Sequence, residues 1–281
     1  MKNYGDIPKE FSEYENSKIV ILPVPYDGTS TWIKGADKGP LAIIEASANM
    51  ETYDIDTDSE VYKKGIHTLS PIKERSSPEK MTKAVFEKMR ELFKAKKFPV
   101  LLGGEHSVSI GAFQAAAASF KDLTILQFDA HADLRDEYLD SKYNHACVMA
   151  RASELAPIVQ IGVRSMSVEE SEIVVPDRIF YAEHITEGSN LMFEMLNKLT
   201  QNVYITIDLD VLDPSIMPST GTPEPDGISY KALLDTIRQI NNKVNIVGFD
   251  VVELCPNKYN KAPDFLAAKL IYQILSIKFA K

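Results

Sequence analysis

Short apolar runs rich in valine and isoleucine alternate along the chain with longer segments in which apolar residues recur every three or four positions. The runs fall at 19–24, 98–102, 123–128, 158–163, 178–181, 203–207 and 244–252. Most are hydrophobic almost throughout rather than alternating, as expected of strands covered on both faces. Helix-like segments fall between and after them, at 77–97, 108–120, 191–201, 230–242 and 264–279, the last reading as packing surface. In the first, Met81, Val85, Met89 and Leu92 form a stripe at helical spacing. Such alternation predicts an α/β fold with a mainly parallel sheet flanked by helices. No Ser/Gly run, Pro-rich tract, long block of one charge or internal repeat interrupts the 281 residues, so one domain over 1–281 is expected.

The polar residues carry the chemistry. In open α/β sheets a ligand binds beyond the carboxyl ends of the strands. Four of the runs meet acidic or imidazole side chains there: Gly103-Gly104-Glu105-His106, Asp129-Ala130-His131-Ala132-Asp133, Asp208-Leu209-Asp210, and Asp250 followed by Glu253. Residues two apart on an extended chain point the same way. Asp129, His131 and Asp133 therefore form one set of donors, Asp208 and Asp210 a second, and His106 completes four carboxylates and two imidazoles. Four carboxylates packed together without a cation repel, and some would have to stay protonated. Two divalent ions balance them and, sharing bridging carboxylates, leave room for a reactive water. Oxygen and nitrogen donors without thiolate favour Mn²⁺, with Ni²⁺, Co²⁺ and Fe²⁺ open. One Asp-X-Asp alone is more often a turn; the coincidence of motifs at separate strand ends is what argues for a site.

Composition narrows the partners. With 40 acidic against 31 basic residues the net charge is −9, which excludes the basic footprint of a nucleic-acid binder and suits a cationic ligand. No apolar stretch approaches the ~20 residues of a membrane span. The charged first sixteen residues are unlike a signal peptide, and two cysteines, Cys147 and Cys255, are too few for a disulfide framework. A cytoplasmic location is expected.

Gly-Gly-Glu-His at 103–106, Asp-Ala-His-Ala-Asp at 129–133 and Ile-Asp-Leu-Asp-Val-Leu-Asp-Pro at 207–214 resemble the signature motifs of the ureohydrolases, the arginase and agmatinase family. The likeness extends from Pro-Val-Pro-Tyr-Asp-Gly-Thr-Ser-Thr at 23–31 to Gly-Phe-Asp-Val-Val-Glu at 248–253, nearly the whole chain. It implies a three-layer α/β/α sandwich around an eight-stranded parallel sheet. It also implies two Mn²⁺ held by His106, Asp129, His131, Asp133, Asp208 and Asp210, and assembly into trimers or hexamers. By the same resemblance Glu253 holds the guanidinium and His145, in Asn144-His145-Ala146, shuttles the proton that the departing amine needs; Asp133 counts in the catalytic set as well as the metal set. His67 and His184 match no family ligand and read as structural or surface residues.

The stretch 134–143, Leu-Arg-Asp-Glu-Tyr-Leu-Asp-Ser-Lys-Tyr, takes the place of the loop by which arginases grip a carboxylate. Its three acids against Arg135 and Lys142 suggest an acidic rim suited to an amine-ended substrate. Together with Gly-Thr-Pro-Glu-Pro-Asp-Gly at 221–227 it is similar to bacterial agmatinases, implying hydrolysis of agmatine to putrescine and urea. Aminopropyl-agmatine, guanidinobutyrate and arginine are the alternative substrates. Rival classes are an iminohydrolase using Cys147 with His145, a dimetal phosphoesterase and a non-catalytic metal-binding homologue. The first leaves six donors unexplained, the second lacks a cation within the strand-end motifs, and intact donors weigh against the third. Tyr26 and Trp32 are both expected in the core.

Overall fold

The computed structural model describes residues 2–185 and 190–280. Eight strands form one sheet: β1 Ile19–Val24, β2 Ile66–Thr68, β3 Phe98–Gly103, β4 Leu123–Phe128, β5 Ile158–Val163, β6 Ile179–Tyr181, β7 Asn202–Asp208 and β8 Asn245–Val252. Their order is β2-β1-β3-β8-β7-β4-β5-β6, and every neighbouring pair runs parallel. All seven expected runs are strands. The eighth, β2, is three residues on the edge, too short for any periodicity to mark it.

Helices cover both faces. Helices α1 (Gly39–Ser47), α6 (Asn190–Asn197), α7 (Tyr230–Lys243) and α8 (Ala262–Phe279) share one buried cluster with alternate strand residues such as Ile19 and Ile21. Helices α2 (Pro78–Lys94), α3 (Ser109–Ser119) and α4 (Val148–Ser153) share the other with Val20, Leu22 and Val24. A four-residue turn of helix, α5 (Val168–Ser171), follows β5. The three layers are those expected. The Met81, Val85, Met89 and Leu92 stripe is the buried face of α2, which starts where Ser77 caps the Lys80 amide and Pro78 takes the first position. In α8 buried residues lie all round, because it packs on the sheet, α1 and α7 together. Helices α1 and α4 went unread: both are short, and α1 carries no apolar stripe.

Tyr26 is buried as expected, but Trp32 is 76% exposed. Its neighbour Thr31 lines the cavity described below, which leaves Trp32 on the outside of the loop. Among the described residues no helix is long and apolar enough to cross a membrane.

Candidate metal centre

The four middle strands, β3, β8, β7 and β4, end side by side; β3, β7 and β4 deliver the six expected donors to one edge of the sheet, and β8 delivers Glu253 beside them. The chain leaves β3 through Gly104, where a Cβ would lie 1.8 Å from the Tyr26 carbonyl oxygen, so only glycine lets the loop after β1 approach this closely. His106 then opens a short 3-10 turn capped by Glu105. Asp208 is the last residue of β7 and accepts from the Asp210 amide at 2.9 Å, which folds the next turn back toward β4. There the Ala130 amide donates to Asp210 at 3.0 Å.

The donors converge in two groups that share one carboxylate. His106, Asp129 and Asp208 form the first; Asp129, His131 and Asp210 form the second. Nδ1 of His106 lies 3.1 Å from Asp129 and from Asp133 and 3.4 Å from Asp208. Nδ1 of His131 lies 2.9 Å from Asp210 and 3.5 Å from Asp129. The two oxygens of Asp129 thus face different imidazoles.

The direction in which His106 presents its ring follows from its other nitrogen. Thr206 donates its hydroxyl to Asp250 at 2.5 Å, so its oxygen accepts from Nε2–H of His106 at 2.9 Å. Nδ1 is then the lone-pair nitrogen facing the carboxylates. It is buried, yet makes no properly directed hydrogen bond to any of them. A nitrogen that orphaned in the midst of three carboxylates fits a ligand sharing a cation with them.

Electrostatics agree. Burial raises the Asp133 carboxyl to about 7, with Asp129 adding to the push. Burial, then Asp210 and Asp129, lift Asp208 well above the carboxylate range. Burial opposes charge on His106 and His131 as well, but the carboxylates around them hold both imidazoles far above their ordinary value. Asp129, between the two rings, is held low against its own burial. Crowded acids here draw protons in, a balance that two divalent cations restore without them.

A cavity of about 280 Å³ opens over the donors and is lined by His106, His131, Asp133, Asp208, Asp210, His145, Glu253 and Thr222. Glu253 is buried, accepts from the His106 amide at 2.8 Å and sits at φ +65°, a left-handed conformation shared by Asp133 at φ +53°. Such strain at non-glycine residues clusters where a side chain must be aimed. Burial, then Glu105, push its carboxyl up. His145 is tied twice to Thr29: its amide donates to Oγ1 at 3.0 Å and Nδ1 lies 3.2 Å away. Burial takes its imidazole down to about 4.

The loop expected as an acidic rim is turned otherwise. Arg135 and Tyr138 are its residues at the cavity, while Asp136 points outward to Arg151 and Lys142. Arg135 lies over the Tyr138 ring and 3.9 Å from Glu170. His67 donates from Nδ1 to the Ser12 carbonyl and His184 is exposed, neither near the centre. Three supporting residues carried no weight in the sequence reading, Thr206, Gln127 and Gln160, while Asp250, expected at a strand end, lies buried within β8 as the acceptor for Thr206. Gln127 donates to Asp129 at 2.7 Å and accepts from Gln160 at 2.6 Å. The available signal was a polar residue inside an otherwise apolar strand.

A parallel α/β/α sheet with paired imidazole and carboxylate donors at its carboxyl edge defines a metal-dependent hydrolase. The sequence profile of the Arginase family matches residues 17–276, and the chain belongs to that family, whose members depend on two metal ions and hydrolyse amidino C–N bonds. It is 37% identical to the N(1)-aminopropylagmatine ureohydrolase of Thermococcus kodakarensis, covering 96% of this chain and 94% of that one. It is 35% identical to the agmatinase of Halalkalibacterium halodurans, covering 94% and 93%. Among solved structures the agmatine ureohydrolase of Thermoplasma volcanium superposes with a TM-score of 0.89 at 32% identity, over 100% of this chain and 95% of that one.

Proposed function

We propose that the protein hydrolyses the guanidinium group of a linear guanidinoalkylamine, agmatine in the first instance, to urea and the free amine, with Mn²⁺ at both metal positions. The observation that carries this reading is the convergence of His106, Asp129, His131, Asp133, Asp208 and Asp210 beneath a cavity that Glu253 and His145 also line. A guanidinium carbon is a poor electrophile, and two divalent ions held by these donors would supply hydroxide at neutral pH by lowering the pKa of water. The residues do the rest. Glu253, with one oxygen engaged by the His106 amide, turns the other toward the cavity to hold the guanidinium through charge-assisted hydrogen bonds. His145 rests neutral with Nδ1 against Thr29, so Nε2 takes up a proton and passes it to the departing amine.

Charge at the cavity favours an amine-ended substrate. Arg135 is the one guanidinium among the described lining residues, and the Glu170 carboxylate 3.9 Å away offsets its charge, which weakens its pull on the carboxylate of arginine. A second reading, aminopropyl-agmatine, is favoured by the names of relatives 33–37% identical to this chain. Urea release from agmatine, aminopropyl-agmatine, arginine and guanidinobutyrate, assayed in parallel on Mn²⁺-loaded protein, decides between them. Higher kcat/KM for either amine-ended guanidine than for both carboxylate-ended ones is expected. The reverse order overturns the substrate reading, and no urea from any of the four overturns the reaction.

A further inference from the structure

The two imidazoles of the centre are held from behind by different devices. Nε2 of His106 is fixed inside the sheet by Thr206 and Asp250, all fully or nearly fully buried. His131 is 25% exposed at its side chain, and its Nε2 faces Glu224, 3.8 Å from Oε1. Glu224 belongs to the 221–227 segment, which has no helix or strand to hold it.

Arg164 holds it instead. Its guanidinium donates to the carbonyls of Glu224 and Pro225, both at 2.8 Å, and of Asp210 at 2.7 Å, with longer bonds to Gly162 at 3.2 Å and Val211 at 3.4 Å. Its own amide donates to the Ala130 carbonyl at 2.8 Å. One residue thereby ties together the three segments that carry His131, Asp210 and Glu224. The preceding bulge makes this reach possible. Gly162 sits at φ +93° where the β5–β6 register shifts, and a Cβ there would lie 2.5 Å from Val211.

We propose that Arg164 and Glu224 are positioning residues for the His131 side of the metal centre: the Glu224 carboxylate faces Nε2 at ion-pair distance and so keeps Nδ1 aimed at Asp129 and Asp210, and the Arg164 fork keeps Glu224 and the Asp210 turn in register. This rests on the dinuclear reading of the site but on no choice of substrate. Metal-bound histidines are oriented by just such a partner on the other ring nitrogen, and its loss costs roughly 10–100-fold in metal affinity. A planar fork spread over several carbonyls is not replaced by the single ammonium of lysine.

Calorimetric titration of the metal-free protein with Mn²⁺ tests it without any guanidine present. Glu224→Ala should weaken one of the two ions by roughly tenfold or more and leave the other unchanged. The unfolding temperature of the metal-free protein should not move, and Glu224→Gln, which keeps an acceptor for Nε2–H, should recover part of the loss. Arg164→Lys should weaken the same ion, and the double variant should lose less than the two single variants added together, because Arg164 acts in part through the position of Glu224. Wild-type affinity for both ions in Glu224→Ala, equal weakening of both, or additive losses in the double variant would overturn the proposal. A wild-type protein that binds fewer than two ions overturns the dinuclear reading beneath it, an outcome visible before any variant is made.

Discussion

The sheet divides into four middle strands, β3, β8, β7 and β4, and four flanking ones, β2 and β1 on one side and β5 and β6 on the other. Both sets are buried, and both pack helices on either face. The difference lies in what interrupts the apolar runs. β1 reads Ile-Val-Ile-Leu-Pro-Val without a polar side chain, whereas Gln127, Thr206 and Asp250 sit inside β4, β7 and β8, fully buried. Those three lie directly behind Asp129 and His106 and are hydrogen-bonded to them or to one another. The centre thus stands on a polar layer within the sheet, which thins outward through Gln160 in β5. Burying such groups is tolerated only because each finds a partner. The middle strands spend packing on orientation of the donors, and the flanks keep theirs for stability.

The sharpest way to break the middle is at the shared carboxylate. Asp129 accepts from the His131 amide at 2.6 Å through one oxygen and from Gln127 at 2.7 Å through the other, while facing both imidazoles. Asparagine can accept at only one of these, so Asp129→Asn turns an amide against a donor and removes a charge common to both donor groups. Urea release should fall by roughly 10³ or more, on the scale of losing a preorganised electrostatic element. Metal analysis should show fewer than two ions per chain; full occupancy would show that Asp129 is not shared.

Thr206→Val tests the layer beneath. The shape is kept, but Nε2 of His106 loses its acceptor and the ring is free to present either nitrogen. Mn²⁺ affinity should drop roughly 10–100-fold. Unchanged affinity would mean that packing alone orients His106 and that the polar layer is incidental.

A flanking residue should behave in the opposite manner. Ile21 is fully buried in β1, away from every donor. Ile21→Ala should cost about 2–5 kcal/mol of unfolding free energy through the cavity it leaves. Metal content and KM of the folded fraction should not change. A lowered metal affinity would show that flank and middle are mechanically coupled and that the division above is too simple.

The same division explains what could be read from the sequence. Strands flanked by turns and interrupted by charge announce themselves, because an apolar run ending in Asp-Ala-His-Ala-Asp has few structural explanations. Of the eight residues the sequence assigns to the site, seven line one cavity, and Asp129 lies beside them between His106 and His131. Thr206 and Gln127 were harder to see: a single polar residue in a strand is common, and only the register beside a donor gives it meaning. Arg164 follows β5, a strand without a motif, and its partners are carbonyls contributed by any residue type. The acidic rim failed for a related reason. Charge counted along 134–143 says nothing of direction, and the turn of that loop sends Asp136 to Arg151 and Arg135 to the cavity.

The smallest effect is expected where sequence proximity is most suggestive. Cys147 lies two residues from His145, a spacing that invites a thiol mechanism. In the structure both belong to one short 3-10 turn, but Nδ1 of His145 is engaged with Thr29, and the sulfur is fully buried, in contact with the Ser141 carbonyl. Burial pushes the thiol up to about 11, the opposite of what a nucleophile needs. Cys147→Ser should therefore leave kcat and metal content unchanged, at a stability cost of about 1 kcal/mol, typical of a point substitution. Chelation followed by addition of Mn²⁺ should abolish and restore activity equally in both proteins. A large loss of turnover in the serine variant, with metal retained, would move the chemistry from the strand ends of the middle to a helical turn beside them.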